Sequence, residues 1–224
     1  TGTGLTLIPA LEGTSFTYRV VEKVNWNREW ESNFHSIIIA DRCSVRASFH
    51  PKPADAEFDI IINPKMSFGT GHHHTTALMA GMLLDLPVKG KKVLDMGCGT
   101  GILAILAAKM EASGVDAVDN DQWAWQNTVE NCNVNGVKVR TRLGDITMVK
   151  NEKYDIVMAN ITRNILLENM PLLCSVLNNN GVLLMSGFLN HDLNDLSAAA
   201  AREGLSQNKV VERDNWCAAA FGKH

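Results

Sequence analysis

Val93-Leu94-Asp95-Met96-Gly97-Cys98-Gly99-Thr100-Gly101 is the stretch whose reading decides the fold. An apolar run ends in an acid, three glycines follow at alternate positions, and the helix-forming segment Ile102 to Met110 comes next. Physically this is a buried strand, a tight turn without Cβ atoms and a helix N-terminus. Such a turn lets backbone N–H groups approach a ligand closely. The first expectation is therefore a nucleotide-like ligand at the end of a parallel strand.

Working outward, regular alternation runs from Thr75 to the end of the chain. A helix is predicted over Thr76 to Leu86, then strand Lys92 to Met96, helix Ile102 to Met110 and strand Gly114 to Val118. Helix Gln122 to Asn135, strand Val137 to Leu143, strand Tyr154 to Ala159, helix Arg163 to Leu177 and strand Val182 to Ser186 continue the pattern. A last helix, Asp192 to Glu203, leads to strands Lys209 to Arg213 and Cys217 to Phe221. Strands alternating with helices imply right-handed crossovers and a mostly parallel sheet covered on both faces, an α/β class. No helix separates the final two strands, which predicts an antiparallel hairpin at one edge.

Residues 1 to about 65 have a different texture of short strand-like runs and turns. Thr17 to Val21 reads as a strand, and Asn25 to Trp30 begins a helical piece with Trp26 and Trp30 on one face. Ile37 to Ile39, Cys43 to Ala47 and Phe58 to Ile62 read as strands, the last two separated by the Pro51-Lys52-Pro53 breaker.

The chain has 224 residues, suiting one large domain or one domain plus a small appendage. A net charge of −3 gives no global pull toward nucleic acid or anionic lipid, so neither is an expected partner. No apolar run approaches about 20 residues, so no membrane helix is expected. The five scattered cysteines form no CxxC pair, which argues against a zinc site or disulfide framework and points to a reducing cytoplasm. A monomer is expected.

Which ligand the glycine turn takes depends on its neighbours. Gly99-x-Gly101-x-x-Ala104 satisfies the loose dinucleotide pattern. However, Asp95 closes the strand two residues before Gly97, and the glycine turn starts one alternate position earlier than that pattern requires. The turn suits the aminocarboxypropyl end of S-adenosylmethionine equally well. Asp119 ends the next strand 18 residues beyond Gly101, a spacing suited to an acid that accepts both ribose hydroxyls. Asn120 and Asp121 are better placed to cap the following helix, which leaves Asp119 free. Asp145, after Gly144, sits where a carboxylate meets the adenine amino group or where an ordinary turn is made. Upstream, Phe68-Gly69-Thr70-Gly71-His72-His73-His74-Thr75-Thr76 runs into a helix whose free N–H groups and hydroxyl can meet a carboxylate, unless Thr75 or Thr76 merely caps the helix.

These residues together resemble a class I methyltransferase, whose D-x-G-x-G-x-G motif and two following acids have counterparts here. The resemblance implies a seven-stranded Rossmann-like sheet with a reversed terminal hairpin. The Phe68 to Thr76 segment is similar to the signature of the PrmA family, methyltransferases of ribosomal large-subunit protein L11. That family reads F-G-T-G-T-H-x-T-T and then V-L-D-x-G-C-G-[ST]-G. Val157-Met158-Ala159-Asn160-Ile161, the Trp26 and Trp30 pair and Asp214-Asn215-Trp216-Cys217 extend the likeness over nearly the whole chain.

The resemblance implies S-adenosylmethionine as cofactor and places cofactor contacts on Thr76, Gly97, Gly99, Gly101, Asp119, Asp145 and Asn160. It implies the protein L11 as substrate, with methyl transfer to lysine ε-amines and the N-terminal α-amine. Asn160 and His73 are the candidate catalytic residues, Asn160 orienting the amine and His73 the one tempting proton acceptor. The sequence Asn160-Ile161-Thr162-Arg163 lacks the prolines and tyrosine of N-P-P-Y, which argues against base or glutamine methylation. His72 and His74 depart from the family pattern while His73 matches it, and the run is read as loop histidines, not a metal site. The expected division is a remnant of a substrate-recognition domain over 1–24, a linker helix and β-rich lead-in over 25–65, and a cofactor-binding catalytic domain over 66–224. Too few residues precede Trp26 for a complete α+β recognition domain, so a truncated chain is expected. The competing readings are an NAD(P)-dependent oxidoreductase resting on Gly99 to Ala104, a non-catalytic adenosylmethionine-binding module, and a small-molecule methyltransferase.

Overall fold

A computed structural model describes residues 35–63 and 73–223. The predicted strand at Thr17 to Val21, the Trp26–Trp30 helix and most of the Phe68 to His73 loop lie outside the described residues. Three short strands come first: β1 (Ile37–Ile39), β2 (Cys43–Arg46) and β3 (Phe58–Ile61). They form a small sheet in which β1 pairs antiparallel and β3 parallel with β2.

The alternating region builds α1 (His74–Leu84), β4 (Lys92–Met96), α2 (Ile102–Lys109), β5 (Gly114–Asp119), α3 (Gln122–Val134) and β6 (Arg140–Leu143). It continues with β7 (Tyr154–Asn160), α4 (Arg163–Ser175), β8 (Leu177–Leu189), α5 (Leu193–Arg202), β9 (Leu205–Arg213) and β10 (Trp216–Lys223). The seven-stranded sheet has the order β6-β5-β4-β7-β8-β10-β9, parallel except for β10, which is antiparallel to both neighbours. This is the expected α/β fold with its terminal hairpin. Among the described residues no helix is long and apolar enough to cross a membrane.

Strand alternation explains the two-sided core. Val93, Ile156, Met158, Leu184, Ala218 and Ala220 face one side, where they pack with Met79, Leu83, Ile102 and Ile105 of α1 and α2. Leu94, Val157, Leu183, Met185, Ala219 and Phe221 face the other, against Leu166, Met170 and Leu173 of α4 and Leu196 of α5. Successive residues of one strand thus enter different layers, as a doubly covered sheet requires. The small sheet joins the first layer through Cys43, Val45, Ile60 and Ile62, all fully buried. The lead-in strands therefore share one core with the large sheet.

Several boundaries differ from the expectation, among them those of α1, β6, β8 and β9, which begins at Leu205. Helix α1 starts at His74 and is capped by His73, whose ring nitrogen accepts from Thr75 N; neither threonine is the cap. Strand β6 starts only at Arg140, the residue that first finds a partner, Asp116 of β5. Strand β8 is longer at both ends: Leu177 pairs with Tyr154 and Val182 with Ile156, so 178–181 bulges out between them. Asn180 there has φ +59°, a left-handed conformation that asparagine tolerates.

At the amino edge of the sheet a charge network joins four strands or their approaches. Asp116, buried in β5, accepts from Arg140 and from the Tyr154 hydroxyl at 3.0 Å. Glu152 accepts from Lys92 at 2.8 Å and from Arg140 and Arg142. The hydrogen bond from Lys92 leads the causes that hold the Glu152 carboxyl down to about 2, against an ordinary 4.5. A depressed folded value means that this carboxylate stabilises the fold above its unfolded pKa, and that the contribution fades as pH falls through the folded one. Glu152→Gln should therefore cost about 1–3 kcal/mol at pH 7. In thermal melts, the gap from the parent protein should be constant above about pH 4.5 and close toward about pH 2.

Candidate active site

The strand order reverses at β4, which sends one crossover toward β5 and β6 and the next toward β7 and β8. Such a switch point opens a crevice at the carboxyl ends of the strands, the place where α/β sheets bind ligands. A cavity of about 900 Å³ lies there, lined among others by Gly97, Gly99, Asp119, Asn160, Ile161 and Trp216.

The glycine turn is built for close approach more than for anion binding. Gly97, Gly99 and Gly101 have φ of +73°, +57° and +79°, values that any side chain would resist. A Cβ on Gly97 would also stand 2.3 Å from Ile161 Cγ2. The N–H groups of Gly97 and Cys98 donate to Val118 O at 2.8 and 3.2 Å, and that of Gly101 to Cys98 O at 2.8 Å. Gly99 N donates to Asp119 Oδ2 at 2.8 Å. Four N–H groups expected to face a ligand are thus used within the protein, a correction to the picture of an amide cradle.

Asp95, which announces the turn in sequence, acts as a remote helix cap. Gly101 is the N-cap of α2 and has no side chain to offer, while Asp95 Oδ2 accepts from Ala104 N in the first turn of that helix at 3.1 Å. Burial is the main cause that raises its carboxyl to about 7. Asp119 is not free, as its sequence context suggested. Its two oxygens accept from Gly99 N and, at 3.0 Å, from Asp121 N, while Asp121 caps α3 through Ala124 N at 2.7 Å. A carboxylate offers about four acceptor positions, so two of those on Asp119 are left for a ligand.

Across the cavity, Asn160 Nδ2 donates to the buried Thr76 Oγ1 at 3.3 Å. This contact fastens the end of β7 to the first turn of α1. With Nδ2 engaged, the Asn160 side chain presents Oδ1 as its acceptor. Thr76 lies behind Asn160 and is not part of the cavity wall, whereas Thr75 and His73 are. His73 Nδ1 accepts from Thr75 N at 3.3 Å and lies 2.8 Å from Thr75 Oγ1, and its ring stands edge-on to Trp216 with centroids 4.8 Å apart. Burial, then the neighbouring His74, push its pKa below the usual histidine value. His74 turns away toward Asp214, 3.4 Å distant.

Gly101 and Asp145 lie outside the wall. At Gly101 a Cβ would meet Thr128 Cγ2 at 2.8 Å, so this glycine serves the packing of α3 on the turn. Asp145 is exposed and caps the short 3₁₀ turn Ile146–Val149 through Thr147 N at 2.9 Å.

Wall residues that sequence reasoning did not single out for the site include Asp121, Trp123, Ile161, Ile165, Gly187 and Trp216. Trp216 reaches the wall because Asp214 and Asn215, with φ of +50° and +65°, close a two-residue hairpin between β9 and β10. That Asp-Asn pair between two strands is the sequence signal for it. Gly187 admits the Ile161 backbone: a Cβ there would be 2.3 Å from Ile161 O.

Comparison with known proteins adds to this geometry. Residues 5–224 match the family model described as ribosomal protein L11 methyltransferase, PrmA. A protein of that name from Porphyromonas gingivalis is 46% identical over 209 residues, 92% of this chain and 72% of the relative. One from Bacteroides fragilis is 43% identical over 210 residues, 92% of this chain and 75% of the relative. The crystal structure of a ribosomal protein L11 methylase from Lactobacillus delbrueckii subsp. bulgaricus superposes with a TM-score of 0.77 at 30% identity, covering 85% of this chain and all of that one. With the fold, the glycine turn and the two strand-end residues Asp119 and Asn160 in place, this chain belongs to the PrmA family of S-adenosylmethionine-dependent methyltransferases.

Proposed function

We propose that this chain methylates amines of the ribosomal protein L11, at lysine ε-amines and the N-terminal α-amine, as a cytoplasmic monomer. The observation that carries the reading is the charge of the cavity. Among the described residues its wall holds two acids, Asp119 and Asp121, and no lysine or arginine. A site of this sign suits a sulfonium cofactor. It opposes the pyrophosphate of a dinucleotide, which sites usually meet with free backbone N–H groups. Here four such groups of the turn are already engaged.

When bound, S-adenosylmethionine would supply an electrophilic methyl carbon: attack by an amine lone pair forms the nitrogen–carbon bond, breaks the carbon–sulfur bond and releases a neutral thioether. The remaining work is positioning. Asp119 takes the ribose hydroxyls on its unused acceptor positions, and Gly97 and Gly99 give the cofactor room to lie against the turn. Asn160 Oδ1 accepts an N–H of the incoming amine and so directs its lone pair. An ammonium must lose a proton first, its unperturbed pKa being about 10.4 for lysine. The apolar surfaces of Ile161, Ile165 and Trp216 disfavour the charged form and lower that value. His73, with Nδ1 occupied as the α1 cap, contributes a wall. Thr76 holds Asn160 in place, and Asp145 and Gly101 support the site without lining it.

Calorimetric titration tests the Asp119 assignment. Asp119→Asn should weaken S-adenosylmethionine binding by about tenfold to a hundredfold, the usual worth of a hydrogen bond to a charged group. Unchanged affinity would remove Asp119 from the ribose role. The substrate is tested by incubating the chain with cofactor and ribosomal protein L11 and mapping methyl increments by mass spectrometry. Asn160→Ala should lower kcat at least about tenfold with cofactor affinity changed less, as expected for a group that orients the nucleophile. No increments on L11 under saturating cofactor would reject the proposed substrate.

A further inference from the structure

The glycine turn owes its shape to a helix that supplies no catalytic group. Two residues of α3, one turn apart, hold successive carbonyls of the turn. Thr128 Oγ1 donates to Gly99 O at 2.9 Å, and Asn131 Nδ2 donates to Thr100 O at 2.9 Å. Both side chains are fully buried and neither lines the cavity. Thr128 also packs its methyl toward Gly101 and sits 3.3 Å from Cys98 Sγ.

Asn131 uses its whole carboxamide. One Nδ2 hydrogen serves Thr100 O and the other Asn127 Oδ1, at 2.9 Å, while Oδ1 accepts from Asn63 N at 2.9 Å. It is therefore the junction between the glycine turn, the body of α3 and the chain leaving β3. Aspartate would lack the donors and leucine would lack everything but the volume. Asn127 leaves its own Nδ2 buried without an acceptor among the described residues, while its Oδ1 accepts from Asn131 and so orients that side chain. One turn further on, Asn135 exchanges hydrogen bonds with Ile61 N and O, at 2.9 and 2.6 Å. Asn135 thus ties β3 to α3 without touching the glycine turn.

We propose that Thr128 and Asn131 are positioning residues for S-adenosylmethionine: by holding the Gly99 and Thr100 carbonyls into α3, they keep the turn in its cofactor-accepting shape. A chain with glycines at 97, 99 and 101 has many conformations open to it, and ordering them on binding would cost affinity. Fixing the carbonyls beforehand removes that cost, which is preorganisation supplied from the second strand-to-helix unit to the first.

Calorimetry with S-adenosylmethionine and thermal melts on Asn131→Leu, Thr128→Val and Asn135→Leu separate this role from plain stability. Thr128→Val keeps the methyl packing at Gly101 and removes only the hydroxyl. Asn131→Leu should raise Kd about tenfold and Thr128→Val severalfold, each with a rise in cofactor KM larger than the loss of kcat. Asn135→Leu should lower Tm and change Kd less than about twofold. The proposal is overturned if Thr128→Val and Asn131→Leu bind as the parent does, or if all three variants lose affinity in proportion to their loss of Tm. Should Asn131→Leu fail to fold, Thr128→Val against Asn135→Leu makes the same distinction. The Kd and Tm comparisons use the chain and cofactor alone, so they are independent of whether L11 is the substrate.

Discussion

At the end of β4 the chain must leave a buried strand and enter a buried helix within five residues, and the site is arranged around that constraint. Three left-handed glycines make the reversal sterically possible, but they also make the turn loose. Its order comes from outside. Val118 O and the Asp119 carboxylate receive its N–H groups from β5, and Asp95 reaches across to cap α2 where Gly101 has no side chain. The turn is therefore a structure jointly specified by two strands and two helices, and a ligand meets it already formed.

This sharing explains what is legible in the sequence and what is not. The helices and strands of the sheet follow from local pattern, because each buries residues with its own period: β4 and α2 stand almost as read. The glycine turn and the strand-end residues Asp119 and Asn160 can be located because a strand's carboxyl end is a fixed place in an α/β fold. Their partners cannot. Asp119 looks free in sequence because its nearest competitor for capping, Asp121, does take the α3 cap, yet its oxygens are drawn to Gly99 N, twenty residues away in the chain. His73 reads as a base in sequence and is a cap in the fold. Its context, a run of three histidines before two threonines, carries no signal for which residue starts the helix.

The asparagines of α3 escape a sequence reading for a different reason. Asn127, Asn131 and Asn135 recur every four residues, which places them on one helical face, and polar residues on one face ordinarily read as the solvent side. Here Asn127 and Asn131 are fully buried, and the face they mark is the one against the glycine turn and β3. A carboxamide has both donor and acceptor, so it can replace the strand partner that β3 lacks on this side. The small sheet gains from such tethers because its own ladder ends at Ile61, and beyond it Asn63 N is held by Asn131 Oδ1.

Two aspartates on one strand show how the same residue type is put to opposite uses. Asp116 and Asp119 lie three residues apart on β5, and both are largely buried. Asp116 is met by the Arg140 guanidinium and the Tyr154 hydroxyl, so its charge is matched within the fold and serves the joining of β5, β6 and β7. Asp119 is met by two backbone N–H groups, which fix its orientation and leave its charge unopposed by any cation among the described residues. A buried carboxylate without a counter-ion is costly unless something else satisfies it. At the amino edge of the sheet the protein satisfies its own acids. At the carboxyl edge it leaves one oriented and without a counter-ion among the described residues, beside a cavity whose described wall holds no basic residue.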